Sequence, residues 1–107
     1  MNKNIKVLVA DNSDDFGKEC CKELQKLGFD AVLTPKNGNS VIESIDSQHF
    51  DAVIMDVFMT GADAIEVMEH ISASLAEKPL VVLISVIDNS DFEEQMINAG
   101  ADYYFPG

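Results

Sequence analysis

The segment DAVIMDVFMTGAD (residues 51–63) runs from apolar or small residues at 52–55 into a carboxylate, Asp56, with a second acid at Asp63. A buried strand that ends in an acid delivers that acid to the rim of a core. Asp11 follows the apolar run IKVLVA (5–10), and Ser85 ends the run LVVLIS (80–85). Carboxylates brought together repel, and a hard divalent cation such as Mg²⁺ relieves that repulsion. A carboxylate beside such an ion can attack a phosphoryl group, because the ion shields the incoming charge. A neighbouring hydroxyl can then bond the transferred oxygens. Asp and Ser also close turns and cap helices, so the chemical reading depends on the three residues standing together.

The elements that would bring them together alternate along the chain. Short β-branched runs at 5–10, 29–34, 51–56, 80–85 and 103–105 read as strands. Between them, Phe16, Cys20, Leu24 and Leu27 form a helical stripe. Val41, Ile42 and Ile45 mark a second helix, Ile65, Met68, Ile71 and Leu75 a third, and Phe92, Met96 and Ile97 a fourth. Ser40 with Glu43, and Ser90 with Glu93, have the spacing of capping boxes. The βαβαβαβαβ pattern predicts one α/β domain over residues 1–107, a doubly wound, flavodoxin-like parallel sheet of five strands. In the order 2-1-3-4-5, strands one, three and four are neighbours, so Asp11, Asp56 and Ser85 share the crevice beyond their C-terminal ends. The sequence stops at Gly107, so the expectation is a sheet lacking a fifth helix, with one face bare around strands one, three and five. A homodimer burying Tyr104 or its neighbours would cover that face.

Composition narrows the function classes. The 107 residues carry a net charge of −12. The imbalance lies in residues 37–107, which hold one lysine against thirteen acids; residues 1–36 are neutral. Such a surface repels phosphate backbones and anionic lipids, so neither nucleic acid nor a membrane is an expected partner. No apolar run is long enough to span a bilayer. Cys20 and Cys21 are adjacent, a poor geometry for a disulfide. Cys20 is expected in the core and Cys21 beside it, as reduced thiols of a cytoplasmic protein. His49 and His70 read as surface residues, and the five methionines as core filling.

VLVADN, LGFDAV, KNG, DAVIMDVFM, VVLIS and NAGADYYF together resemble the receiver domains of two-component response regulators. The chain is similar in particular to the receiver of the sporulation-initiation regulator of spore-forming bacteria. It implies phosphorelay signalling, with Asp56 as the phospho-acceptor, Ser85 as the hydroxyl switch and Tyr103 at, or one residue from, the aromatic switch. Asp11, Asp56 and the Phe58 backbone carbonyl would hold Mg²⁺. The donor would be a histidine kinase or phosphotransfer protein, and the domain would not itself be an enzyme beyond its own phosphorylation.

Three departures qualify that implication. Where the family has a second acid after strand one, this chain has Asn12, a weaker metal ligand; Asp14 or Asp15 is the alternative. Thr60 and Ala64 replace the loop residues common after the acceptor. The lysine expected after strand five falls, by count from Ser85, on Gly107. These changes favour an atypical receiver that works as an interaction module, with phosphorylation at Asp56 weak or absent. A competent receiver cut before its last helix is the alternative, and a small-ligand-binding flavodoxin-like domain the lesser one. Cobalamin-binding domains of this architecture need a first-loop histidine, which DNSDDFG lacks. Dehalogenase-type phosphatases need an Asp where Phe58 stands.

Overall fold

The structure is a computed structural model that describes residues 5–10, 16–35, 37–74 and 76–106. Nine elements follow in order: β1 (Lys6–Ala10), α1 (Phe16–Lys26), β2 (Asp30–Thr34), α2 (Gly38–Ser47), β3 (Ala52–Asp56), α3 (Ala64–Ser74), β4 (Leu80–Ser85), α4 (Ser90–Ala99) and β5 (Tyr103–Pro106). The strands form one parallel sheet, as the alternating pattern requires, and its order is the expected β2-β1-β3-β4-β5. Leu8, Val53 and Val81 stand side by side on one face and are buried under α2, α3 and α4. Met55, Met68 and Met96 fill that same core, as an unbranched, adaptable side chain can.

The opposite face is only partly covered. Val7, Val9 and Ala31 pack there with Cys21 of α1. Among the described residues, no helix lies over the β3–β5 portion of this face. Leu80, Tyr103 and Phe105 are therefore exposed, and Ile54, Val82 and Ile84 half-buried. The bare region is thus shifted one strand from the expected position, because α1 shelters β1. Tyr104 is not part of it. Alternation along β5 turns Tyr104 into the covered core, where it is 8% exposed, and turns Tyr103 outward at 54%.

Helix ends depart from the sequence reading in a consistent way. Asn37, not Ser40, caps α2: its side-chain oxygen accepts from the Asn39 and Ser40 amides at 2.9 and 3.3 Å. Asn89, not Ser90, caps α4 by accepting from the Phe92 amide at 3.0 Å. In both cases a carboxamide one or more positions earlier reaches the free amides of the first turn, and the helix starts sooner. Leu27 belongs to the turn after α1 and is 74% exposed. The helix ends at Lys26, and Gly28, at φ +96°, turns the chain away. The two thiols exchange roles: Cys21 is buried and Cys20 only half-buried. Burial, with Cys20 alongside, pushes the Cys21 thiol up from its ordinary pKa, which keeps it protonated and unreactive at neutral pH. Leu75 lies outside the described residues.

The start of α2 is fastened to the loop after β3. Gly38 donates its amide to the Thr60 carbonyl at 3.0 Å, and Asn37 pairs with Thr60 in an isolated bridge. A side chain at residue 38 would overlap the backbone carbonyl of Ala62. Gly38→Ala is therefore expected to destabilise the fold by about 1–3 kcal/mol, read as a lower urea midpoint. A midpoint within error of the parent protein would show that the loop yields freely.

Candidate functional site

The pairing of β3 with β4 builds the candidate site. Asp56 stands opposite Ile84, so Ser85 projects one residue further along the same edge. Val57 continues the pairing by donating its amide to the Ile84 carbonyl at 3.0 Å. Asp56 is half-buried and Ser85 is 1% exposed. An acid and a hydroxyl thus end adjacent strands at one rim, as the sequence suggested.

Each is held by a local bond. The Phe58 amide donates to Asp56 Oδ1 at 2.8 Å, folding the loop back on its own acid. The Ile87 amide donates to Ser85 Oγ at 3.0 Å. Both are side chain to backbone bonds two residues on, the pattern of Asx and Ser turns. Asp63, the second acid of the opening segment, belongs elsewhere. It caps α3, accepting the Glu66 amide at 2.9 Å, while Glu66 reaches back to the Asp63 amide at 3.5 Å. This reciprocal pair secures the far end of the loop.

The two strand-end residues are also linked the long way round, through aromatic rings. Phe58 stacks on Phe92 of α4, with ring centroids 6.1 Å apart. Phe92 meets Tyr104 edge to face at 6.2 Å. The Tyr104 hydroxyl donates to the Ile87 carbonyl at 2.6 Å, and the Ile87 amide returns to Ser85. Asp56, Phe58, Phe92, Tyr104, Ile87 and Ser85 therefore form a closed circuit, completed by the β3–β4 hydrogen bonds.

The family resemblance put the aromatic partner of Ser85 at Tyr103 or one residue from it. The side chain that reaches the Ser85 loop is Tyr104, because Tyr104 pairs with Leu83 and shares its core-facing side. Within β5 the alternation is direct: Tyr103 and Phe105 point outward, and Tyr104 between them points inward. Phe92, read as a core residue of α4, was not recognised as the link to Phe58. Asp11 and Asn12, together with Asp14 and Asp15, lie outside the described residues. Among those described, no group of three or more His, Cys, Asp and Glu is arranged to hold a metal ion. Asp56 is the described carboxylate in the crevice, and its hard oxygens suit Mg²⁺. His49 and His70 are far from it. His49 contacts Asp51 at 3.0 Å, and His70 joins α3 to Asp46 of α2 at 2.8 Å.

The Tyr104 hydroxyl bond is short and partly buried, so removing it should be measurable. Tyr104→Phe is expected to cost about 0.5–1.5 kcal/mol and to speed hydrogen exchange at the amides of residues 86–89. Tyr103→Phe should be near neutral in both measurements. Equal effects from the two substitutions would show that the hydroxyl bond does not hold the loop.

The sequence and the fold are similar to those of known proteins. The response regulator receiver domain family matches residues 7–106. Response regulator MprA of Mycolicibacterium vanbaalenii is 28% identical over 102 residues, which are 95% of this chain and 43% of that protein. Chemotaxis protein CheY-3 of Vibrio cholerae is 28% identical over 99 residues, 92% of this chain and 75% of that one. The chain thus spans less than half the length of the first of these relatives. Among solved structures, the receiver domain of the Francisella response regulator 1452 superposes with a TM-score of 0.85 at 22% identity. That match covers 94% of this chain and 82% of the other. With the family matched from β1 to the end of β5, the chain belongs to the receiver domains of response regulators, the modules of two-component signalling.

Proposed function

We propose that this chain is an atypical receiver that acts chiefly through protein contacts, with slow phosphorylation at Asp56. The observation that carries the reading is the pair Asp56 and Ser85 on adjacent strand ends, in a chain with Gly107 where the family places its lysine. In this reading an Asp56 oxygen forms the new P–O bond. The donor's P–N bond breaks, and the neutral imidazole of a histidine kinase or phosphotransfer protein departs. The Ser85 hydroxyl bonds a transferred oxygen, and Tyr104, rather than Tyr103, follows it through Ile87. Asp56, Asp11 and the Phe58 carbonyl are the groups that would hold Mg²⁺, with the Asn12 amide in place of a charged ligand. The ion would offset the negative charge that gathers on the phosphoryl oxygens.

Two absent charges slow the reaction. Asn12 withdraws one carboxylate from the ion, and Gly107 withdraws a cation from the transferred group. Acetyl phosphate is therefore expected to label the protein slowly, at Asp56 only, and not at all in Asp56→Asn. Asn12→Asp should tighten Mg²⁺ binding in a calorimetric titration. Rapid, stoichiometric labelling of the unmodified chain would point instead to the alternative, a fully competent receiver.

We also infer that two copies associate through the apolar face over β3–β5. Leu80, Tyr103 and Phe105 form its exposed part, and their burial supplies the driving force. Sedimentation at micromolar concentration is expected to show a dimer that Tyr103→Glu dissociates. A monomer with both side chains would exclude this pairing.

A further inference from the structure

Beside the Phe58–Phe92 stack lies a groove between the β3–α3 loop and α4, with a volume of about 220 Å³. Phe58, Met59, Ile65, Phe92, Gln95 and Met96 form its walls and floor. Met96 at its base is 2% exposed, whereas Phe58 at its rim is 50% exposed. The lining is mostly apolar and partly thioether, with Asp63 and Gln95 as its polar members, a surface that adapts to the shape of what enters. The volume admits one large side chain, not a cofactor.

Charge decides what kind of molecule could supply that side chain. The loop and α3, residues 57–74, contain Asp63, Glu66 and Glu69 and no lysine. Helix α4 adds Asp91, Glu93 and Glu94, again without a basic residue. A nucleic acid or an anionic membrane would be repelled from this rim. A second copy docked like on like would bring the same acids against it. The complementary occupant is a basic protein segment.

We propose that this groove docks a partner protein through one large apolar side chain flanked by Lys or Arg. The site is separate from the bare sheet face, which lies on the other side of the sheet. It is also tied to the crevice. Phe58 forms one wall, and its amide is bonded to Asp56 Oδ1. A change at Asp56 therefore moves a wall of the groove. This coupling does not depend on whether Asp56 is phosphorylated, since it is a property of the Asp56–Phe58 bond.

The test uses methyl-labelled protein and an amphipathic Leu/Lys helix of about 14 residues, near the shortest length that holds a helix. Saturable shifts are expected at Met59, Met96 and Ile65, with Ile54 and Ile84 on the bare face unmoved. A Leu/Glu peptide should not bind, and a Gln/Lys peptide should leave the groove methyls unmoved. Gln95→Trp fills the groove and should weaken binding roughly tenfold, about 1.4 kcal/mol. Ile65→Gln serves the same purpose if the tryptophan unfolds the chain. Asp56→Ala removes the acceptor for the Phe58 amide and should shift the affinity roughly threefold or more, whereas Asp56→Asn should not. Shifts confined to Ile54 and Ile84 would overturn the proposal, as would equal binding of the Gln/Lys peptide. Unchanged affinity in a folded groove variant would do the same. Unchanged affinity in Asp56→Ala would remove the coupling.

Discussion

In a parallel sheet, each strand's hydrogen bonds decide where its neighbour ends. Here the pairing of Asp56 with Ile84 leaves Ser85 one step beyond, at the same rim. A slip of one residue would turn Ser85 to the opposite face and replace it with an apolar neighbour. The register is held by the core under α2, α3 and α4, where Val53 and Val81 and then Met55 and Leu83 stand opposite each other and are buried. The chemistry at the rim therefore depends on apolar contacts some distance below it. This is why the most apolar strands carry the most functional ends.

Above that register, the rim is organised by short bonds of modest individual strength. The Asp56–Phe58 and Ser85–Ile87 bonds each bend a loop back on a strand end. The aromatic contacts through Phe92 and Tyr104 then join the two loops. Aromatic pairs of this kind contribute about 0.5–1.5 kcal/mol beyond their buried area. Their larger consequence is geometric: a displacement of either loop must be accommodated by α4. The loop after β3 is also held from the other side by Gly38 and Asn37 of the α2 start. Asp56 thus sits in a segment fastened at both ends and joined to α4 through the stack of Phe58 on Phe92.

Charge and apolarity are distributed differently over the molecule. The acids concentrate after residue 36, where they rim the loop, α3 and α4. The exposed apolar side chains of β4 and β5 face the other way. One surface therefore favours basic partners through Coulomb attraction, and the other favours any surface that excludes water. The receiver architecture keeps these two tendencies apart because successive residues on a strand point to opposite faces.

Much was legible in the sequence because it rests on local rules. The short, nearly continuous apolar runs IKVLVA and LVVLIS, and the alternation of strand and helix patterns, determined the strands and their parallel sense. The position of Asp56 and Ser85 at strand ends followed directly. Caps were misplaced because Ser40 and Asn37, or Ser90 and Asn89, compete for the same first-turn amides, and only backbone geometry selects between them. Tyr103 and Tyr104 have the same chemistry, and one residue of register separates solvent from core. Tertiary packing made that choice by setting Tyr104 opposite Leu83. The stack of Phe58 on Phe92 joins residues 34 positions apart, and neither shows any local signal of the other. Local periodicity can name the face on which a side chain lies; contact across a crevice is decided only when the strands and helices have packed.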